Sequence, residues 1–189
     1  MKRRVLFASL LSGLLLVTGC GSAAPEVEKV VISSIEVPGD YSVYEDDLGW
    51  SLAHPGDWSV DETAKEYGTI GFVSPSAEDG FKATLGVLRT EHEFMASDFN
   101  YEELTTAIQG ALENNGGMNV LTEVIELPAG EAARGVADLE RDGVAFKTSQ
   151  VQIYGDGVGY ILTFTTLGDR FEEYIDEFEN MLATFAPGF

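Results

Sequence analysis

The side chains best suited to chemistry are two histidines, His54 and His92, and a single cysteine, Cys20. A catalytic triad joins a histidine to a carboxylate and a nucleophile, so either histidine is a candidate base in a hydrolase. The sequence has no Gly-x-Ser-x-Gly nucleophile elbow, and the patterns around both histidines favour structural or solvated roles. We therefore predict no catalytic residue and keep hydrolysis by His92 or His54 as an alternative.

Metal ligands are the second candidate chemistry. Glu91 and Glu93 flank His92, but zinc would need a further ligand from elsewhere in the chain. The segment from Asp138 to Gly143 resembles the first half of an EF-hand calcium loop, in which alternate side chains face the ion. The twelfth position is Ser149 instead of glutamate, and an Asp-Gly hairpin turn explains the same residues. We predict neither a metal site nor a cofactor, and loose cation binding by acidic loops stays an alternative function.

Phosphate and nucleic acid are disfavoured as ligands. The glycine-rich segment 155–159 joins two predicted strands instead of opening a helix, and Asp156 within it would repel a phosphate. The chain carries 32 Asp and Glu against 11 Lys and Arg, a net charge of −21. Because a nucleic-acid backbone is bound by clustered cations, this charge argues against a nucleic-acid partner.

The first twenty residues predict export and lipid attachment. Lys2, Arg3 and Arg4 precede an apolar run that ends in the segment 17–20, Val-Thr-Gly-Cys. That ending resembles the lipobox of bacterial and archaeal lipoproteins. The resemblance implies that residues 1–19 are a signal peptide and that Cys20 receives a palmitate-type lipid and becomes the mature N-terminus. Either general secretion or the twin-arginine route fits the leader. Since Cys20 is the only cysteine, no internal disulfide is possible.

Residues 20–44 are predicted to be a tether, because small residues, prolines and acidic side chains dominate them. The apolar patch at 30–35 leaves open an additional short strand. Loss of the leader removes three positive charges from the net charge of −21, which leaves −24. This acidity favours solubility and separation from anionic lipid. It is equally compatible with a saline habitat and with an acidic docking face.

Residues 45–189 are predicted to form one α+β domain. Alternating apolar residues and short glycine-bearing turns indicate about seven strands, mainly antiparallel, with hairpins at 141–143 and 155–157. A change of apolar parity in the strand 144–154 predicts a bulge near Ser149. One helix is expected after Asn100 and a second after a cap at Asp169. Such amphipathic helices must cover the sheet.

Two segments resemble the PsbP-like superfamily, which includes a thylakoid photosystem extrinsic protein and many bacterial lipoproteins. The first is 50–60, an aromatic strand, a turn with Pro55, and then Trp58. The second is 159–185, a closing strand followed by the helix that carries Phe171 and Phe178. His54 stands where the family more often has tyrosine, a departure that affects a hydrogen bond at the turn.

The resemblance implies a seven- or eight-stranded antiparallel sheet flanked by helices and a non-catalytic assembly, docking or accessory role. We therefore expect an extracytoplasmic accessory or binding protein held at the cell membrane by lipid on Cys20, with a protein or envelope component as its partner. A small-ligand or cation carrier is the alternative, and an envelope hydrolase is a further one.

Overall fold

The structure, a computed structural model, describes residues 29–75 and 80–189. Two α-helices and ten strands make up the regular structure of this part. The strands are β1 (Val30–Val31), β2 (Tyr41–Glu45), β3 (Ser51–Pro55), β4 (Ser59–Asp61), β5 (Thr69–Val73), β6 (Thr84–Glu91), β7 (Met118–Leu127), β8 (Gly130–Arg141), β9 (Val144–Tyr154) and β10 (Val158–Leu167). The helices are α1 (Tyr101–Asn114) and α2 (Phe171–Thr184).

Eight strands form one sheet in the order β1-β7-β8-β9-β10-β6-β5-β4, while β2 and β3 make a separate hairpin. Every pairing is antiparallel except that of β1 with β7. The turn between β8 and β9 places Asp142 at φ 54° and Gly143 at φ 78°, the left-handed conformations of a tight hairpin turn. The predicted α+β class and both predicted hairpins are confirmed.

The main core lies between one face of this sheet and α2. In β10 the even-numbered residues from Val158 to Phe164 are buried against α2 and the β2–β3 hairpin. Phe164 stacks on Phe178 of α2 with ring centroids 5.0 Å apart. Side chains of a strand alternate between the two faces, so the odd-numbered residues of β10 lie on the opposite side.

Helix α1 covers only part of the opposite face. Its buried residues Ile108 and Leu112 pack on Ala133 and Ala137 of β8. The backbone of Gly135 lies between these alanines, where an added Cβ would overlap Ile108. The absence of a side chain at Gly135 therefore sets how closely α1 approaches β8. The helix packs mainly on β7 and β8 and meets β9 where the Tyr101 hydroxyl hydrogen-bonds the backbone of Tyr154. The rest of this face, over β9, β10 and β6, has no helix of the described residues packed on it.

The domain begins earlier than predicted. Val30–Val31 pairs with β7, Ile32 is buried in the core, and Tyr41–Glu45 pairs with β3. The alternative of a short strand in the patch at 30–35 is what the structure contains, and the tether boundary at residue 44 is corrected. Residues 20–28 of the predicted tether, with Cys20 and the leader, lie outside the described residues.

Two local predictions are also corrected. The pairing of β9 is regular at Ser149, and the irregular register lies in β7, between Met118 and Leu121. Asp169 belongs to a short 3₁₀ turn, and α2 begins after Arg170 with no side-chain cap. Phe81 precedes β6 and packs against Phe146 with ring centroids 6.0 Å apart.

Candidate functional site

A groove runs along the C-terminal half of α1, over the part of the sheet that no helix covers. Alternate residues of β8, β9 and β10 form its floor, and α1 forms one wall. Its volume is about 330 Å³, within the range of small-molecule sites. The ten lining residues are Ala111, Leu112, Asn115, Leu139, Arg141, Phe146, Thr148, Gln150, Thr163 and Thr165.

The floor combines apolar contact with neutral hydrogen-bonding groups. Thr148 donates to the carbonyl oxygen of Phe164 at 2.9 Å, and its Oγ1 lies 3.3 Å from that of Thr165. Gln150 and Thr163, which are paired across β9 and β10, make no side-chain hydrogen bond to any described residue. Amides and hydroxyls both donate and accept hydrogen bonds, so these two side chains can bind either a donor or an acceptor group of a ligand.

The charge of the groove differs from that of the whole chain. None of its lining residues is acidic, although the chain has 32 Asp and Glu. Six of the eight Lys and Arg side chains in the described ranges make ion pairs with carboxylates. Arg141, at the groove, has no such partner among these residues, and exposed Lys82 has none either. The groove therefore offers a free guanidinium group.

His54 is a core residue. It is 5% exposed, its ring lies 5.2 Å from that of Phe72, and its Nδ1–H donates to the carbonyl oxygen of Pro55 at 2.8 Å. This hydrogen bond fixes the Nδ1–H tautomer and holds the turn after β3.

His92 lies in an aromatic cluster at the opposite end of the sheet from Arg141. Its ring is 5.2 Å from that of Phe99 and 5.7 Å from that of Tyr154, and Phe99 stacks on Tyr154 at 4.2 Å. Its Nδ1 accepts a hydrogen bond from the backbone of Phe94, and no carboxylate hydrogen bond to either imidazole is found in the described part of the chain. His54 and His92 are not brought together with an acid or a nucleophile there.

The other candidate segments considered from the sequence have structural explanations where they are described. Asp138 accepts from Asn119 at 2.8 Å and lies 3.9 Å from the Lys147 ammonium, while Asp142 and Gly143 form the hairpin turn. Across residues 29–75 and 80–189, no group of three or more His, Asp or Glu side chains is placed to hold a metal ion. No helix in these ranges has the length and apolar character needed to cross a membrane.

Acidic side chains gather in a second depression, between the β2–β3 hairpin and α2. Asp40, Asp57 and Glu177 line it with Tyr41 and Asn180. Burial raises the pKa of Glu177, and the nearby carboxylates of Asp57 and Asp40 raise it further. A hydrogen bond from Trp58 acts in the opposite direction. The contact between the hairpin and α2 therefore includes a carboxyl group, that of Glu177, whose protonation affects the stability of the fold.

Sequence reasoning missed the groove although one signal for it was present. The parity change in β9 places Val151 and Ile153 on the α2 side and Phe146 on the groove side. Because the register of β9 is regular, a bulge does not explain the change of parity. Both faces of β9 carry apolar residues because each face is partly covered. An apolar residue on each face of a regular strand indicates a second covered surface.

The fold is one large, mainly antiparallel sheet with a helix on each face, which is the architecture that the PsbP-like resemblance implied. No family model matches the sequence, and no curated protein matches it significantly.

Solved structures share this fold at low sequence identity. LpqN of Mycobacterium tuberculosis, described as involved in cell envelope biogenesis, is 17% identical, with a TM-score of 0.59 over 78% of this chain and 86% of that one. PA94 of Pseudomonas aeruginosa, a protein of unknown function, is 17% identical with a TM-score of 0.54, over 79% and 98%. Cyanobacterial PsbP from Synechocystis matches at 15% identity and a TM-score of 0.42, over 79% and 93%. At these identities the likeness to LpqN and PA94 concerns the fold alone.

Proposed function

We propose that this protein is a lipid-anchored, extracytoplasmic accessory protein without catalysis of its own, and that it binds an envelope partner in the groove beside α1. The observation that carries the proposal is the incomplete cover of one sheet face. An antiparallel sheet face that no helix covers is commonly a polar, solvated surface, and apolar side chains on such a face depart from that pattern. Here the face forms a groove with Leu139, Phe146 and three threonines.

The envelope location is supported by the sequence before the domain and by one of the fold neighbours. The basic and apolar leader ends at Val-Thr-Gly-Cys, which resembles a lipobox, and Cys20 is the residue that would carry the lipid. LpqN, which shares the fold, is described as involved in cell envelope biogenesis. Two acyl chains make a stable membrane anchor, and the strongly acidic domain would then stand away from anionic lipid.

The anchor is tested by replacing its acceptor. Cells that express the full chain, or Cys20→Ser, are fed an alkyne analogue of palmitate, and the purified protein is examined for the label. We expect label on the wild type, none on Cys20→Ser, and release of the variant from the membrane fraction. Equal labelling of both proteins, or no label on either, would contradict lipid attachment at Cys20.

The binding role is tested at the wall of the groove. A photo-crosslinking amino acid is placed at Ala111, which is exposed and lines the groove, or at Thr106, which is exposed on the same helix and does not line it. Irradiation of intact cells should give a specific adduct from position 111 that position 106 does not give. The same adducts from both positions, or none from position 111, would refute a partner in this groove.

A further inference from the structure

The charge and the shape of the groove together restrict its ligand. Arg141 is the only charged residue that lines it, and this guanidinium has no carboxylate partner among the described residues. An arginine fork presents several donors and no acceptor, so its preferred partner is an anionic oxygen group. In a chain this acidic, ion pairing is the common state of a cation, and Arg141 departs from it.

The remaining walls favour a ligand body with apolar surface. Ala111 and Leu112 of α1 face Leu139 and Phe146 of the floor across the groove, and Gln150 and Thr163 add neutral polar groups beside them. A volume of about 330 Å³ accommodates a body of roughly ten to fifteen non-hydrogen atoms, judged from the ~30 Å³ that one water occupies in the liquid. Larger ligands would extend out of the open side.

We propose that the groove binds a small amphipathic organic anion, with its carboxylate, sulfonate or phosphate group at Arg141 and its apolar body between α1 and the floor. This inference rests on the proposed function, because it names the chemistry of the ligand for the same groove. The anion is either a free metabolite-sized acid or the exposed end of an anionic lipid, since both present a charged group joined to an apolar body.

The test compares two probes of equal shape. 2-Naphthoate carries a carboxylate, and 2-naphthamide carries a neutral amide on the same ring system. Each is titrated into the full-length isotope-labelled protein in detergent while amide chemical shifts are followed. We expect the shifts to map to β9, β10 and the end of α1, and the carboxylate to bind about five- to tenfold more tightly than the amide.

Two matched variants assign the preference to Arg141. Arg141→Gln should lower the affinity for 2-naphthoate to that for 2-naphthamide and leave the amide unchanged. Lys82→Gln removes the same charge from an exposed cation outside the groove and should change neither affinity. Equal binding of the two probes by the wild type, or an unchanged preference in Arg141→Gln, overturns the proposal. Urea unfolding of Arg141→Gln confirms that the variant is folded.

Displacement of 2-naphthoate identifies the source of the anion. Displacement by decanoate supports a free acid. Displacement by phosphatidylglycerol but not by phosphatidylcholine, each added as mixed micelles with the same detergent, supports a lipid. Displacement by neither competitor overturns the proposal. A crosslinked partner at Ala111 without a carboxylate preference would sink this inference and leave the proposed function standing. A carboxylate preference at Arg141 without any crosslink would do the reverse.

Discussion

Two glycines in one row of the sheet give a direct measure of where α1 lies. Gly86 of β6 pairs with Thr163, Thr163 pairs with Gln150, and Gln150 pairs with Gly135 of β8, so both glycines lie on the groove side. Neither glycine has a positive φ, and alanine fits both backbones. A Cβ on Gly135 would overlap Ile108 and lie 2.9 Å from Leu112, whereas a Cβ on Gly86 would meet only the Thr163 oxygen at 4.0 Å.

The two alanine substitutions therefore differ in one physical effect. Both reduce the entropy of the unfolded chain, which stabilises the protein by about 0.4–1 kcal/mol. Only Gly135→Ala forces α1 away from β8, and overpacking of this kind costs about 1–3 kcal/mol. We expect Gly86→Ala to be neutral or slightly more stable than the wild type. The free energy of unfolding of Gly135→Ala should lie about 1–3 kcal/mol below that of Gly86→Ala.

Urea unfolding followed by circular dichroism measures this difference. With an m-value of about 2 kcal/mol/M, the two midpoints should lie roughly 0.5–1.5 M apart. Ile108→Ala removes the methyl group that the added Cβ would strike, so Gly135→Ala combined with Ile108→Ala should lose less stability than the sum of the two single changes. Equal midpoints for Gly86→Ala and Gly135→Ala, or strictly additive losses of stability in the double variant, would refute the claim that α1 lies close to Gly135 and not to Gly86.

Three further results are expected. Asn100→Ala should lower stability by about 1 kcal/mol in chemical denaturation, because the Asn100 side chain caps α1 by accepting from the backbone N–H groups of Glu102 and Glu103. Asp169→Ala, which removes no helix cap, should change stability by less than about 0.5 kcal/mol. Glu177→Gln should be more stable than the wild type at neutral pH and remove a decline of stability with rising pH. The reason is that the raised pKa of Glu177 keeps more protons on the folded state than on the unfolded chain, so stability falls as pH rises. Thermal unfolding between about pH 4 and pH 8 measures this, with the exposed Glu172→Gln as the control. Arg134→Met should lower the free energy of unfolding by about 1 kcal/mol, because Arg134 pairs with Glu123 on β7 and Glu179 on α2. The loss should be smaller at high salt, and a loss that is independent of salt would argue against the ion pairs.

The parts of the fold that local patterns determine were predictable. The alternation from Val158 to Phe164 marks a strand with one buried face, and Asp142-Gly143 marks a tight hairpin. The helical spacing from Phe171 to Leu182 marks α2. The apolar patch at 30–35 indicated a possible short strand but not its partner, because the pairing of Val30 with Ile125 joins residues far apart in the chain. Local preference says nothing about such a contact.

The groove was less predictable because it depends on what covers the sheet. Thr148, Gln150, Thr163 and Thr165 alternate with core residues and have the composition of a solvated face. Their role follows from the position of α1, which covers β7 and β8 and stops short of β9 and β10. Long-range packing sets that position. The sequence of α1 shows an apolar stripe and leaves open which strands the stripe meets.

The central claim is that the sheet face beside α1 is open over β9 and β10 and closed over the part of β8 that carries Ala133 and Ala137. The most direct measurement is the relaxation of methyl protons in the presence of a soluble gadolinium chelate. We predict strong enhancement for Thr163 and Thr165, which are partly exposed at the groove, and little for Ala133 and Ala137, which are 0% exposed beneath α1. Equal protection of all four methyl groups would mean that the groove is closed in solution and would contradict the binding role proposed for it.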